Sequence, residues 1–143
     1  KIVLVIGIAD AGKISMLKLM TGQDLRLGHK LDDGRTPILT CIPVEVDGER
    51  YIFIDSPGFG YGAVQPGVIK KQIQHMLGFL PRTLGGIHAI LYVQDITVER
   101  NTVGMGEAIG FLDELAGREI GPHITFITTK WDIPQSAAKL MHK

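Results

Sequence analysis

Cysteine is nearly absent from this 143-residue chain, and the single Cys41 excludes both an internal disulfide framework and a zinc cluster of several cysteines. No apolar run approaches the ~18 residues that a membrane-spanning helix needs, so the sequence predicts no transmembrane segment. Neither sign of charge prevails, because 15 Lys and Arg balance 15 Asp and Glu. This balance excludes bulk attraction to nucleic acid or to an anionic membrane. We expect no nucleic-acid partner and a cytoplasmic location.

The length predicts one domain over residues 1–143, since two domains would each be too small to bury a sizeable core. Lys1 leads directly into the apolar run Ile2–Ile6, with no initiator Met before it. Lys143 falls inside a stretch that reads as a starting helix. We therefore expect the sequence to be an excerpt of a longer protein.

Hydrophobic patterning predicts strands that alternate with helices. The strands are predicted at residues 2–6, 42–46, 51–54, 88–93 and 124–128, and the helices at 13–21, 68–80, 103–116 and from Pro134 onward. A long polar loop is predicted at 23–40 and a Gly-rich loop at 58–67. Asp47-Gly48 is a hairpin signal between the second and third strands. This alternation predicts a layered α/β fold with a mainly parallel sheet and one antiparallel edge strand.

A Gly-rich loop joins the first strand to the first helix. Residues 7–13, Gly-Ile-Ala-Asp-Ala-Gly-Lys, match the pattern G-x-x-x-x-G-K in the expected strand–loop–helix context. Backbone N–H groups of such a loop surround phosphate oxygens, the helix N-terminus adds a favourable dipole, and Lys13 supplies a cation. A tight glycine turn without a ligand is the alternative. The context favours the phosphate-binding interpretation.

Two residues depart from the phosphate-loop pattern. Ile14 stands where a Ser or Thr hydroxyl would bind Mg²⁺, and Ser15 is rotated ~100° away from that position on the helix. Asp10 brings a carboxylate into the loop, where it repels phosphate unless it is paired or turned outward. Asp also tolerates left-handed backbone better than most residues, so the turn itself can form.

Two further motifs follow later strands. Asp55-Ser56-Pro57-Gly58 comes after the third strand, where an Asp can hold Mg²⁺ through water and the Gly58 N–H can meet a γ-phosphate. In isolation this segment also reads as a plain turn. Thr129-Lys130-Trp131-Asp132 comes after the last strand, either as a solvated loop or as a base-binding motif. A carboxylate accepts two N–H bonds from guanine but faces an acceptor on adenine, which favours a guanine nucleotide.

With these three motifs in order, the chain resembles a P-loop GTPase. More narrowly it is similar to the septin-like and immunity-associated (GIMAP-like) branch, closest to fungal G-domain-containing proteins. The resemblance covers nearly the whole chain and implies the three-layer P-loop NTPase (G-domain) fold, with the last strand and helix beyond Lys143. Thr36 matches the switch threonine that meets Mg²⁺ and the γ-phosphate, with Thr40 as the alternative. Thr129 replaces the usual Asn of the base motif and leaves Asp132 as the specificity residue.

The resemblance implies GTP or GDP as the ligand together with Mg²⁺, which the departure at Ile14 would leave weakly bound. Lys13 and Thr36 would be catalytic, and Thr36 and Asp55 would hold the metal. The nucleotide-binding residues would be Gly7, Ile8, Ala9, Asp10, Ala11, Gly12, Lys13, Ile14, Ser15, Thr36, Asp55, Gly58, Thr129, Lys130 and Asp132.

Slow GTP hydrolysis, in a switch or assembly module, is the leading hypothesis for function. Phe59 stands where many GTPases place the Gln that orients the attacking water. The resembled branch compensates through dimerisation across the nucleotide face, which would bring residues 95–102 near a partner. Arg100 is then a candidate to stabilise phosphate charge in trans, and His29 is a weaker one.

The alternative is a degenerate G domain, a pseudo-GTPase that serves as a protein-interaction module. Asp10, Ile14 and Phe59 all favour this alternative. An ATP-using P-loop kinase is a third interpretation, but the sequence offers neither a phosphoacceptor site nor the Arg cluster of a lid.

Overall fold

The computed structural model describes residues 1–25, 39–60, 65–79, 86–98, 102–115 and 123–132. The elements are, in chain order, β1 Ile2–Gly7, α1 Lys13–Thr21, β2 Thr40–Val46, β3 Glu49–Asp55, α2 Pro66–Phe79, β4 Ala89–Asp95, α3 Val103–Leu115 and β5 Ile124–Thr129. These bounds agree with the predicted ones to within two residues. Most of the predicted loop 23–40 and the helix expected from Pro134 lie outside the described residues.

The five strands form one sheet in the order β2-β3-β1-β4-β5. Strand β1 pairs in parallel with β3 and with β4, and β4 pairs in parallel with β5. Strand β2 pairs with β3 in the antiparallel sense, through a turn in which Asp47 and Gly48 both have positive φ. Such a turn suits the twist of a two-residue hairpin. The predicted α/β fold with one antiparallel edge strand is confirmed.

Two hydrophobic clusters cover the two faces of the sheet and explain the uninterrupted apolar run of β1. Alternate residues of β1 enter opposite clusters. Leu4 joins the cluster that contains Ile73 of α2 and Phe111 of α3. Val5 joins the cluster that contains Leu17 of α1. Because both faces of β1 are buried, its sequence shows no polar alternation. The result is three layers, with helices on either side of the sheet.

No helix among the described residues is both long enough and apolar enough to span a membrane.

The start of α3 rests on the segment that follows β3. A Cβ placed on Gly104 would lie 2.6 Å from the Gly60 Cα and 2.9 Å from the Gly60 N. Beside this contact, Phe59 is 1% exposed and packs on Phe111 with ring centroids 6.1 Å apart. The two glycines therefore allow α3 to support the loop after β3 by direct backbone contact.

Gly104→Ala is expected to lower the free energy of unfolding by about 1–3 kcal/mol, because the added methyl group meets backbone that cannot move aside. Gly106→Ala is the matched control, since a Cβ there meets nothing within 4 Å. Gly106 is an exposed residue of α3, where alanine favours the helix more than glycine does, so this control should instead stabilise by up to about 1 kcal/mol. Chemical denaturation of both variants checks the pair, and equal effects of the two changes would contradict the packing argument.

Candidate functional site

The three sequence motifs meet at one edge of the sheet. In the register of the parallel strands Val5 lies opposite Asp55, Gly7 opposite Val93, and Asp95 opposite Thr129. The carboxyl ends of β1, β3, β4 and β5 therefore share this edge, where open α/β sheets bind their ligands.

The loop after β1 depends on glycine and on left-handed backbone. A Cβ on Gly7 would lie 2.3 Å from the carbonyl oxygen of Val93, so only glycine fits there. Asp10 and Gly12 have φ values of 57° and 85°, both in the left-handed region. Asp10 is exposed, so its carboxyl group lies on the solvent side of the loop. The turn forms with Asp in place, as its tolerance of left-handed backbone led us to expect.

Lys13 is the buried cation of this loop. Its side chain is buried, and its Nζ donates to the carbonyl oxygen of Ile8 at 2.9 Å. Burial lowers the pKa of Lys13 from its ordinary value, while the charges of Asp55 and Asp10 act in the opposite direction. Removal from water penalises the charged form of an amine unless an anion compensates. The loop thus holds an ammonium group that a bound anion would stabilise.

The segment after β3 is packed directly on the loop after β1. Asp55 and Ser56 are fully buried, and the Ser56 N–H donates to the Val5 carbonyl at 3.1 Å. A Cβ on Gly58 would lie 2.3 Å from the Cα of Ala9. Sequence reasoning connected Gly58 with a ligand, whereas the geometry shows that glycine is needed here for backbone contact as well. The two motifs form one continuous surface.

Phe59 ties the same two segments together through its backbone. Its N–H donates to the Gly7 carbonyl at 3.1 Å, and its own carbonyl accepts from the Ala9 N–H at 2.9 Å. The side chain lies in the hydrophobic core. Phe59 thus has a packing role that the sequence comparison with Gln-containing GTPases did not reveal.

The segment after β5 reaches back to the loop after β1. The Thr129 hydroxyl donates to the Ala11 carbonyl at 2.7 Å, and the Gln94 carbonyl lies 3.3 Å from the same oxygen. Trp131 is 72% exposed, with its indole N–H donating to the Thr128 hydroxyl. Asp132 is exposed. A single hydroxyl therefore joins the third motif to the first.

Asp95 is a buried carboxylate at this edge that sequence reasoning assigned only to a possible partner-facing segment. Its Oδ2 lies 2.6 Å from Lys130 Nζ, and its Oδ1 accepts from both the N–H and the hydroxyl of Thr97 at 2.7 Å. Burial raises the pKa of Asp95, but the bonds from Lys130 and Thr97 outweigh burial and leave the pKa below its ordinary value. Its position at the end of β4 was the only signal in the sequence.

Thr36, together with Arg100 and His29, lies outside the described residues. Thr40 is exposed and lies opposite Asp55 in the hairpin register. Ile14 is half-buried and Ser15 is exposed.

Comparison with known proteins identifies the family. Residues 2–127 match the family described as 50S ribosome-binding GTPase. The chain belongs to this GTPase family. A probable GTP-binding protein EngB of Methanococcus maripaludis is 38% identical over 69 residues, which cover 48% of this chain and 26% of that protein. The chain therefore contains a GTP-binding G domain of the P-loop class.

Solved structures show the same fold. Toc33 from Arabidopsis thaliana, in complex with Mg²⁺ and GMPPNP, superposes with a TM-score of 0.66 at 18% identity, covering 98% of this chain and 57% of that one. The G domain of the T. maritima FeoB iron transporter gives a TM-score of 0.53 at 16% identity, covering 98% and 80% of the two chains. The chain thus spans little more than half the length of Toc33.

The ion pair at Asp95 predicts a defined pH dependence of stability. The folded-state pKa of Asp95 is below its ordinary value of 3.8, so its stabilisation is present above about pH 4 and disappears as the pH falls through the folded pKa. Asp95→Asn should lower the free energy of unfolding by about 1–3 kcal/mol at pH 7, with a smaller deficit toward pH 3. Denaturant titrations at several pH values measure this difference.

Asp24→Asn is the control for that series. The substitution removes the ion pair between Asp24 and Lys18. Because the Asp24 side chain is 91% exposed, the change in the free energy of unfolding should stay below about 1 kcal/mol at every pH. A deficit for Asp95→Asn that stays constant down to pH 2 would contradict the assigned role of the carboxylate.

Proposed function

We propose that this protein binds guanine nucleotide at the shared carboxyl edge of its sheet and hydrolyses GTP slowly, as a switch or assembly module. The observation that carries the proposal is the bonding of three motifs into one surface. Phe59 joins the second motif to the first, and the Thr129 hydroxyl joins the third to the first. These bonds fix the relative positions of the three motifs at the edge where open α/β sheets bind their ligands.

Phosphate binding is assigned to the loop from Gly7 to Lys13 and the first N–H groups of α1, including those of Ile14 and Ser15. Lys13 already lies in the loop with its ammonium group buried against the Ile8 carbonyl. Exchanging that neutral carbonyl for a phosphate oxygen would give the buried cation an anionic partner. The electrostatic cost of burying Lys13 is therefore recovered on binding.

Metal binding is assigned to Asp55, together with Thr36 and phosphate oxygens. The buried Asp55 carboxylate, whose charge reaches Lys13, is an oxygen ligand of the kind that Mg²⁺ requires. Ile14 provides no oxygen at the position where the pattern has a hydroxyl, so the residues fit a weakly held ion. When bound, Mg²⁺ would neutralise charge between the β- and γ-phosphates.

Base recognition is assigned to Asp132, with Thr129 and Lys130 supporting it. The exposed carboxylate can accept two N–H bonds from guanine. Thr129 in place of Asn also supports placing the chain in the septin-like and GIMAP-like branch.

A homodimer across the nucleotide face is part of the proposal, as is one G domain over residues 1–143. Toc33 has been crystallised with GDP and Mg²⁺, and a dimerisation-deficient mutant of it has also been solved. For the chloroplast translocon components Toc33 and Toc159, dimerisation is important for GTPase activity. By analogy, residues 95–102, which include Arg100, would face the second copy.

A cytoplasmic location is also part of the proposal. The single cysteine favours it, because disulfide bonds are rare in that compartment.

A pseudo-GTPase that serves as an interaction module is the second candidate. The burial of Phe59 favours it, because a side chain in the core cannot orient an attacking water. Nucleotide content separates the candidates. Freshly purified protein that carries GDP or GTP supports the first, whereas empty protein without measurable affinity supports the second.

Base choice gives a direct test of the site. Asp132→Asn should weaken GDP binding by about 2–4 kcal/mol, because a charge-assisted pair of hydrogen bonds is lost, and should favour xanthine nucleotides. Isothermal titration with GDP, ADP and XDP measures the change. Asp113→Asn, at an exposed position of α3, is the matched control and should leave all three affinities unchanged. Unchanged GDP affinity in Asp132→Asn would refute the assignment.

Hydrolysis by the protein alone is expected to be near or below ~10⁻⁴ s⁻¹, the scale of unassisted small GTPases. Ile14→Ser restores a hydroxyl for Mg²⁺ and should raise both the rate and the Mg²⁺ dependence of GDP affinity. Leu19→Ser makes a similar change on the same helix at a position that is 87% exposed, and it should change neither. Single-turnover assays at several protein concentrations measure the rates. Concentration-independent turnover above ~10⁻² s⁻¹ would contradict the proposal.

A further inference from the structure

The Asp95–Lys130 ion pair involves the residue two positions before Asp132, the proposed base-reading residue. Asp95 ends β4 and Lys130 follows β5, so the pair joins two adjacent strands at the edge where the ligand would bind. The carboxylate of Asp95 is 2% exposed, whereas the Lys130 side chain is 29% exposed. A buried acid therefore holds the ammonium group of a residue that is partly open to solvent.

Lys130 has a backbone conformation that its side chain disfavours. Its φ is 62°, in the left-handed region that residues with a Cβ rarely adopt. Such a conformation persists only when the surrounding contacts impose it. The bond from Lys130 Nζ to Asp95, together with the bond of Ile96 N–H to the Thr129 carbonyl, supplies those contacts.

The position of Asp132 depends on these anchored residues. Thr129 is bonded to the Ala11 carbonyl, and Lys130 is bonded to Asp95. Asp132 lies two residues farther along the chain and is exposed. A carboxylate that must meet two N–H groups of a base at once needs a defined backbone direction.

The charge of Lys130 matters as well as its anchoring. An ammonium group released from Asp95 would be free to pair with the carboxylate of Asp132, which is close in sequence. That pairing would compete with the base for the same oxygens. Asp95, already held by two bonds from Thr97, keeps Lys130 engaged elsewhere.

We propose that Asp95 is a positioning residue for guanine selectivity, which fixes Lys130 so that Asp132 remains oriented and available for the base. This inference rests on the proposed function. Asp95 itself contacts no part of the nucleotide in this proposal, and it acts through Lys130 alone.

The test compares GDP with ADP, because the two ligands share their phosphates and ribose and differ in the base. Asp95→Asn should reduce the ratio of GDP to ADP affinity by about tenfold or more, mainly through weaker GDP binding. Glu114→Gln is the control, since it removes an exposed ion pair with Lys70 on the helical face. The ratio of GDP to ADP affinity in Glu114→Gln should equal that of the unsubstituted protein.

Lys130→Met provides a second variant, which removes the same ion pair from its partly exposed side. It should reduce the ratio similarly, and adding Asp95→Asn to it should cause no further loss. If the two substitutions acted by general destabilisation, their losses in the affinity ratio would add. Losses that do not add indicate that Asp95 acts through Lys130. If Asp95→Asn does not fold, an unchanged ratio for Lys130→Met overturns the proposal, and a lowered ratio that Lys130→Arg restores, because it keeps a cation for Asp95, supports it.

The outcomes distinguish this inference from the proposed function. A normal GDP preference in folded Asp95→Asn overturns the positioning role alone. Equal affinity of the unsubstituted protein for GDP and ADP overturns guanine recognition itself, and the inference with it.

Discussion

The backbone of the loop after β1 touches the backbone of the segment after β3, and the candidate site depends on that contact. Gly58 has no room for a Cβ because Ala9 occupies the space, and the same two segments exchange hydrogen bonds through Phe59. With both backbones in contact, the buried Asp55 is brought close enough for its charge to act on Lys13. The third motif then attaches through Thr129. Loss of the contact between Gly58 and Ala9 would move Asp55 away from Lys13.

Burial of charged residues at the site lowers the stability of the folded protein. Lys13 and Asp55 are both buried although neither contributes to the hydrophobic clusters. Desolvating charged groups opposes folding unless partners compensate. A core built from β1 and its neighbouring strands provides enough apolar burial to tolerate this cost. Stability and ligand binding therefore make opposite demands on the same residues.

Local patterns in the sequence predicted most of the fold. The run Ile2–Ile6, the Asp47-Gly48 turn and Gly12 before a helix each act over a few residues, and each appears in the structure as expected. The spacing of glycines and charged residues also located the edge where the motifs meet. Short-range chemistry was sufficient for these features because turns and strand burial depend on neighbouring residues.

Long-range contacts could not be predicted in the same way. Thr129 reads as a substitute for Asn in the sequence, yet its hydroxyl bonds to Ala11, which is 118 residues away. Asp95 ends β4 and Lys130 follows β5, and nothing in their spacing along the chain indicates an ion pair. The core position of Phe59 follows from Phe111, on a helix that begins far along the chain. Tertiary packing alone determines these three features.

The Thr129 hydroxyl carries one proton, whereas an Asn amide would carry two. Two carbonyls, those of Ala11 and Gln94, lie within reach of that proton. Rotation about the C–O bond redirects the O–H group from one carbonyl to the other without displacing any heavy atom, on the timescale of side-chain torsions. The hydroxyl of Thr129 can therefore donate to the loop after β1 or to the end of β4, but to only one of them at a time, whereas the two protons of an Asn amide could serve both.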